Sequence, residues 1–214
     1  MKLLAIDRST DSQSIALAMD GAVASAALDG KNARSADWPV LVRDFVAAHG
    51  CAIGDLDRIV VGIGPGSFAG IRGALAFAQG LAIGMKSRRP ELADSPVVYG
   101  LASAMSMAGD SGETAVIGDA RRGLFWVAVY DGCRTVQELH LVPESELAAS
   151  VPGSAIVVTP DEARIGGRLA VAFGERFAGG RSPSAGRMVR IALGHAGLLV
   201  PEPLPVYLSP AVRR

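Results

Sequence analysis

The sequence predicts an α/β protein of two similar lobes, each opening with an antiparallel three-stranded meander within a mixed sheet flanked by helices. Asp20-Gly21 and Asp131-Gly132 each join two apolar, strand-like runs, the strongest short-range hairpin signal a sequence offers. The opening pattern then recurs. Leu3 to Ile6 is apolar and ends in Asp7, as Thr114 to Gly118 ends in Asp119, an offset of 119 − 7 = 112 residues. Between and after these meanders lie segments with helical periodicity.

In chain order, Lys2–Asp7, Ser14–Met19 and Ala22–Leu28 are the first three strands. Ser35–Ala48 is a helix, because Trp38, Leu41, Val42, Phe45 and Val46 repeat at i, i+3, i+4, i+7 and i+8. Ser35 is its expected N-cap and Gly50 its stop. Arg58–Ile63 is a buried strand, and Gly70–Met85 a helix apolar nearly all round, rich in Ala and Gly. Such a helix lies deep in the fold or is covered by a partner on one side. Pro96–Tyr99 is a short strand and Leu101–Met107 a short helix. The second meander is Thr114–Gly118, Leu124–Tyr130 and Val136–Leu141. A strand at Ala155–Val158, a helix near Arg187–Leu199 and a Pro-rich tail from Pro201 to Pro210 follow.

Bulk properties narrow the function. The chain has 214 residues, 50% hydrophobic and 20% charged, with a formal net charge of zero. A globular protein is implied, and one that grips nucleic acid alone through a global positive field is disfavoured. Cys51 and Cys133 lack CxxC spacing and read as free thiols of a reducing cytoplasm. The N-terminus meets Asp7 too early for a signal peptide. The longest apolar stretch, Ile71–Met85, carries Arg72 and Gln79 and is too short to span a membrane. A cytoplasmic protein is therefore expected.

The chemistry-bearing segments come next. Val61-Gly-Ile-Gly-Pro-Gly-Ser-Phe-Ala-Gly-Ile-Arg72 places four glycines and Pro65 between a strand and a helix. Backbone N–H groups there can point outward together, so the segment is either an anion cradle, with Gly64, Gly66 and Ser67 as candidates, or a close-packed contact surface. Pro65 and the opening hairpins argue against a dinucleotide fold, and no Gly-Lys-Ser/Thr follows for a Walker A loop. Ser67 lacks the flanking glycines of a nucleophile elbow and reads as a helix cap. His49, His140 and His195 are isolated, so no metal site is expected. Asp7 and Asp119 are candidates for an acid pair, or for strand-end caps. Arg121 and Arg122 form a turn that either meets an anion or is simply solvated; Trp126 reads as core, and Trp38 as core or interface.

Duplicated lobes of this kind resemble the actin, sugar-kinase and heat-shock-ATPase superfamily, whose actin/ribonuclease-H-like lobes hold phosphate in the turn after the first strand. Here that turn is Asp7-Arg8-Ser9-Thr10. Ala5-Ile-Asp-Arg-Ser-Thr10, the Val61–Arg72 segment, Asp119-Ala-Arg-Arg-Gly123 and Pro205-Val-Tyr-Leu208 narrow the resemblance to the TsaB (YeaZ) family. That resemblance implies a non-catalytic paralogue of the transferase TsaD in synthesis of the tRNA modification threonylcarbamoyladenosine. It further implies pairing with a TsaD-like transferase through helices of the N-terminal lobe and recruitment of a TsaE-like ATPase; self-dimerisation through the same helices is expected when the protein is alone, because their apolar surface would otherwise meet water. ATP and metal would belong to the partners, and tRNA would be met only within the complex.

Carried onto this chain, the resemblance implies contact residues Trp38, Leu41, Phe45, Ile71, Arg72, Leu75 and Ala78. Phosphate-turn candidates are Asp7, Ser9, Thr10, Gly64, Gly66, Ser67, Asp119 and Arg121. Arg8 and Ala69 stand where the family commonly has Thr, and Arg34-Ser-Ala-Asp-Trp38 departs from the family's usual helix start. The expected domains are residues 1–108, with a helix near 187–199 packing back on them, and residues 109–186. Two alternatives remain: an active ATP-dependent kinase or acyl transferase using Asp7, Ser9, Thr10 and Asp119, and a serine peptidase using Ser67.

Overall fold

The computed structural model describes residues 1–29, 37–93 and 97–208. The elements are β1 (Leu3–Asp7), β2 (Ser12–Met19), β3 (Ala22–Asp29), α1 (Trp38–Ala48), β4 (Arg58–Gly62), α2 (Phe68–Arg88) and β5 (Val98–Leu101). Then come β6 (Glu113–Arg121), β7 (Leu124–Asp131), β8 (Arg134–Pro143), β9 (Ile156–Thr159), α3 (Glu162–Phe173), β10 (Phe177–Gly180), α4 (Ala185–Gly194) and β11 (Val200–Pro201). Met1–Ser106 with Pro183–Val206 forms one compact unit, and Met107–Ser182 with Tyr207 the other.

The first unit is built on a sheet of order β11-β5-β4-β1-β2-β3. The meander β1-β2-β3 is antiparallel, closed at its first hairpin by Asp20 and Gly21 with φ of 52° and 81°. Both residues are left-handed, as a two-residue hairpin turn requires. β4 and β5 join in parallel beside β1. Leu4, Ile6, Ile15, Leu17, Ile59 and Val61 form one apolar face, packed by Trp38, Val42 and Val46 of α1 and by Ile71, Ala74, Leu75, Ala78, Ala82 and Met85 of α2. The core stripe of α1 thus runs at i, i+4, i+8, as expected of an amphipathic helix. Its proposed cap, Ser35, and the start of the expected 35–48 span lie outside the described residues, as does Pro96. At the other end, Gly50 stops the helix with φ of 72°, its N–H reaching Ala47 O at 3.0 Å.

α2 is longer than the Gly70–Met85 read from sequence. At 21 residues with a mean hydropathy of 1.3, it is long and apolar enough to cross a membrane, correcting the shorter estimate. Its six buried residues instead bind it to the sheet. The opposite side of the sheet takes α4, which packs on β1, β2 and β3 and buries Met188, Val189, Ile191 and Ala192. Ser184 caps α4 by accepting from Arg187 N–H at 3.2 Å. Ser14 Oγ anchors it further, donating to Pro183 O at 3.2 Å and accepting from Ala185 N–H at 2.9 Å. The helix ends at Gly194 rather than near Leu199, and the Pro-rich tail contributes β11.

The second unit repeats the topology with order β10-β9-β6-β7-β8. Its β6-β7-β8 meander is antiparallel and β9 pairs with β6 in parallel. Ile165, Leu169 and Phe173 of α3 close the core over Ala115, Ile117, Val127 and Val157. α3 and β10 have no counterpart in the sequence-based expectation. Gly166-Gly167 interrupts the helical signal, and Phe-Ala-Gly-Gly is too short and Gly-rich to read as a strand.

Candidate functional site

β1 delivers Asp7 to the carboxyl end of the first sheet, fully buried. Its Oδ1 accepts from Ser9 N–H at 2.8 Å and from Ser9 Oγ at 2.7 Å. Its Oδ2 accepts from Ser103 Oγ at 2.6 Å, and that same hydroxyl accepts from Gly64 N–H at 3.0 Å. Burial pushes the Asp7 carboxyl above its ordinary range, and the bonds from Ser103 and Ser9 oppose this only in part. Both carboxylate oxygens are thus spent on the protein itself.

The Gly-rich segment lies directly on the Asp7–Thr10 turn. A Cβ on Gly66 would stand 2.9 Å from the Ser9 carbonyl carbon, and one on Gly70 3.2 Å from that of Arg8. Ser67 N–H donates to Ser9 O at 2.7 Å, and Ser67 Oγ accepts from Gly70 N–H at 3.2 Å as the N-cap of α2. Ser103 N–H donates to Gly64 O at 2.9 Å, and Val206 N–H to Ile63 O at 2.9 Å. So the glycines serve backbone-to-backbone approach. The N–H groups of Gly64, Ser67 and Gly70 face internal acceptors rather than an anion. Thr10 Oγ1 donates to Ser12 O at 3.0 Å and adds nothing to a cradle.

Ser103 was not among the residues singled out from sequence. It follows β5, nearly a hundred residues from Asp7, and only the parallel pairing of β1, β4 and β5 brings the two together. Ser67 has no histidine bonded to it among the described residues, and His49 Nδ1 lies 2.8 Å from Phe45 O. Among the described residues no three His, Cys, Asp or Glu side chains gather as metal ligands.

Arg8 does not project into the turn. It folds back so that its guanidinium lies 4.7 Å from the centroid of the Trp38 ring, with Nε donating to Gln13 Oε1 at 2.9 Å. Trp38 is itself buried.

The expected contact residues divide. Trp38, Ile71, Leu75 and Ala78 are core, which corrects their assignment to a partner surface: they carry the apolar stripes that hold α1 and α2 on the sheet. Leu41 and Phe45 are half-buried, and Arg72 is exposed, its guanidinium 5.0 Å from the Phe68 ring centroid. The open face of α2 is Phe68, Ala69, Arg72, Ala76, Gln79, Gly80, Ile83 and Gly84, with Ile83 72% and Phe68 55% exposed.

In the second unit Asp119 lies two residues before the end of β6, whereas Asp7 is the last residue of β1. Its N–H donates to Asp161 Oδ2 at 2.9 Å, and its Oδ1 accepts from Arg121 N–H at 2.8 Å. Its Oδ2 stands 3.4 Å from the Arg121 guanidinium and 3.7 Å from Arg164, which also pairs with Asp161. Asp119 therefore ties a strand end and its hairpin together. Arg121, Arg122 and Gly123 form that hairpin with φ of 68°, 55° and 78°.

Known proteins share this architecture. The family described as "TsaD: tRNA N6-adenosine threonylcarbamoyltransferase" matches residues 31–156, more than half of the chain. The Escherichia coli "tRNA threonylcarbamoyladenosine biosynthesis protein TsaB" is 35% identical over 137 residues, 61% of this chain and 55% of that protein. The Haemophilus influenzae protein of the same description is 32% identical over 98 residues, 46% of this chain and 38% of its own length. The chain thus spans about half the length, or less, of the curated relatives it matches. Among solved structures, YeaZ from Pseudomonas aeruginosa superposes with a TM-score of 0.76 at 24% identity, over 96% of this chain and 100% of that one. That likeness establishes a shared fold. The family match, over more than half of the chain, means that the chain belongs to the TsaD family of proteins.

Proposed function

We propose that this protein is a scaffold subunit in synthesis of the tRNA modification threonylcarbamoyladenosine, pairing with a TsaD-like transferase and performing no chemistry itself. The observation that carries the reading is α2. It is apolar along its length, yet it presents Phe68, Ala76, Gly80, Ile83 and Gly84 outward. An apolar face rich in small residues favours a closely packed helix from another subunit, because the backbones can approach and the area leaves water. The filled Asp7–Thr10 turn favours the same reading, since its carboxylate and nearby N–H groups are engaged by Ser9, Ser67 and Ser103.

In this reading ATP and metal are bound by the TsaD-like transferase and a TsaE-like ATPase, and tRNA is met only in the complex. A cytoplasmic location goes with it. Without its partner the protein covers the α1/α2 face with a second copy. Light scattering behind size exclusion tests this on the protein alone and mixed with the TsaD-like protein of its own organism. The expected result is a homodimer alone and a heterodimer in the mixture. Two unmixed peaks, persisting with ATP and the TsaE-like protein present, would overturn the reading.

A further inference from the structure

Arg8 is a buried cation with no carboxylate paired to it among the described residues. Its side chain is 8% exposed, its Nε–H is taken by Gln13, and among the described residues no ion pair includes it. It lies against both partner-facing helices: over the Trp38 ring of α1, and beneath Gly73 of α2, where a Cβ would stand 3.6 Å from Nη1. Trp38 Nε1, a donor only, is buried with no acceptor among the described residues. Trp38 Nε1 is thus a buried donor in want of an acceptor, and the guanidinium stacked on its ring has no carboxylate beside it among the described residues.

No carboxylate of the described residues pairs with Arg8. Residues 30–36, which lead into α1, read Gly-Lys-Asn-Ala-Arg-Ser-Ala and contain no acid. Asp94 is the only side-chain carboxylate outside the described residues. α2 itself carries Arg72, Lys86 and Arg88 and no acid. A guanidinium withdrawn from water without a counter-charge is costly, and stacking on an indole returns only part of that cost.

We propose that the partner docking on α1 and α2 inserts an aspartate or glutamate beside Gly73 to pair with Arg8. The inference rests on the pairing reading above and deepens it. Gly73 is the opening: its missing side chain leaves the guanidinium reachable from the helix surface. The planar fork of arginine, already held flat on Trp38, is preorganised for a two-pronged carboxylate contact. Arg8 is then the residue by which this chain selects an acidic complement.

The test measures affinity for the TsaD-like protein by titration calorimetry, for the wild type, Arg8→Met and Arg8→Lys, with melting curves for each. The expected result is that Arg8→Met binds about thirtyfold or more weakly while melting as the wild type does, and that Arg8→Lys recovers part of the loss. Equal binding by all three overturns the inference and leaves the pairing reading standing. No binding by the wild type overturns the pairing reading and the inference with it. If Arg8→Met melts early, the wild type decides: the Arg8 Nε–H resonance of 15N-labelled protein must move when the partner is added. An unmoved resonance in a formed complex overturns the inference.

Discussion

Gly62 and Asp7 occupy one another's space across adjacent parallel strands. A Cβ on Gly62 would stand 2.6 Å from Asp7 Cγ and 2.7 Å from Ser103 Oγ. The absence of a side chain at Gly62 is what allows the carboxylate to turn inward and meet Ser103 and Ser9. Gly62→Ala is therefore expected to destabilise the protein by about 3 kcal/mol, through overpacking and the broken hydrogen bonds. Urea unfolding measures it, and a loss below about 1 kcal/mol would mean that the strands part more easily than this packing allows.

Asp7 also predicts a pH dependence. Its carboxyl is held above its ordinary 3.8 because burial disfavours the charge more than the serine bonds favour it. A carboxyl raised on folding contributes stability that is complete below 3.8 and lost as pH rises through its folded value. Asp7→Asn has no such proton to lose. The stability of the wild type minus that of Asp7→Asn should thus fall in urea titrations as pH rises above the ordinary 3.8 of an aspartate. A difference that stays flat would remove the buried charge from the account.

Ser67 is a cap. Ser67→Ala should cost about 1 kcal/mol of stability, the usual value of an N-cap hydroxyl. Fluorophosphonate should leave the wild type unlabelled. Stoichiometric labelling, lost in Ser67→Ala, would restore the peptidase alternative.

How far these features can be read from sequence depends on periodicity. On α1 the stripe of Trp38, Val42 and Val46 recurs at i, i+4, i+8, and it pointed to the core. Trp38 reads from the residues alone as core or interface, and the resemblance assigns it to a partner; the structure buries it. On α2 periodicity carries no direction, since apolar residues occur on every side. Ile71, Leu75 and Ala78 share a face, but the sequence does not say whether it is the sheet's or the partner's. The duplicated meanders were legible because hairpin turns have local signatures. The bond from Ser103 to Asp7 has none, for it depends on β5 lying beside β4 and β4 beside β1. The glycines of the 62–70 segment were visible, but close approach to backbone and close approach to an anion ask the same thing of a glycine. Only Arg8 O and Ser9 O, placed against Gly70 and Gly66, separate the two.

The two faces of α2 should respond oppositely to charge. Leu75→Asp puts a carboxylate into the core beside Val61 and Ile71, and should cost at least about 4 kcal/mol or prevent folding. Ile83→Glu changes a side chain that is 72% exposed, and should leave the melting temperature nearly unchanged while abolishing pairing. Gly80 separates stability from binding more sharply. A Cβ there meets nothing within 4 Å, so Gly80→Ala should stabilise the helix by about 0.5–1 kcal/mol. Gly80→Leu should fold equally well but hold a partner helix away. Chemical denaturation gives the first quantity and light scattering of the mixture the second. If Gly80→Leu and Ile83→Glu both pair as the wild type does, the outer face of α2 is not the contact, and the scaffold reading loses its main support.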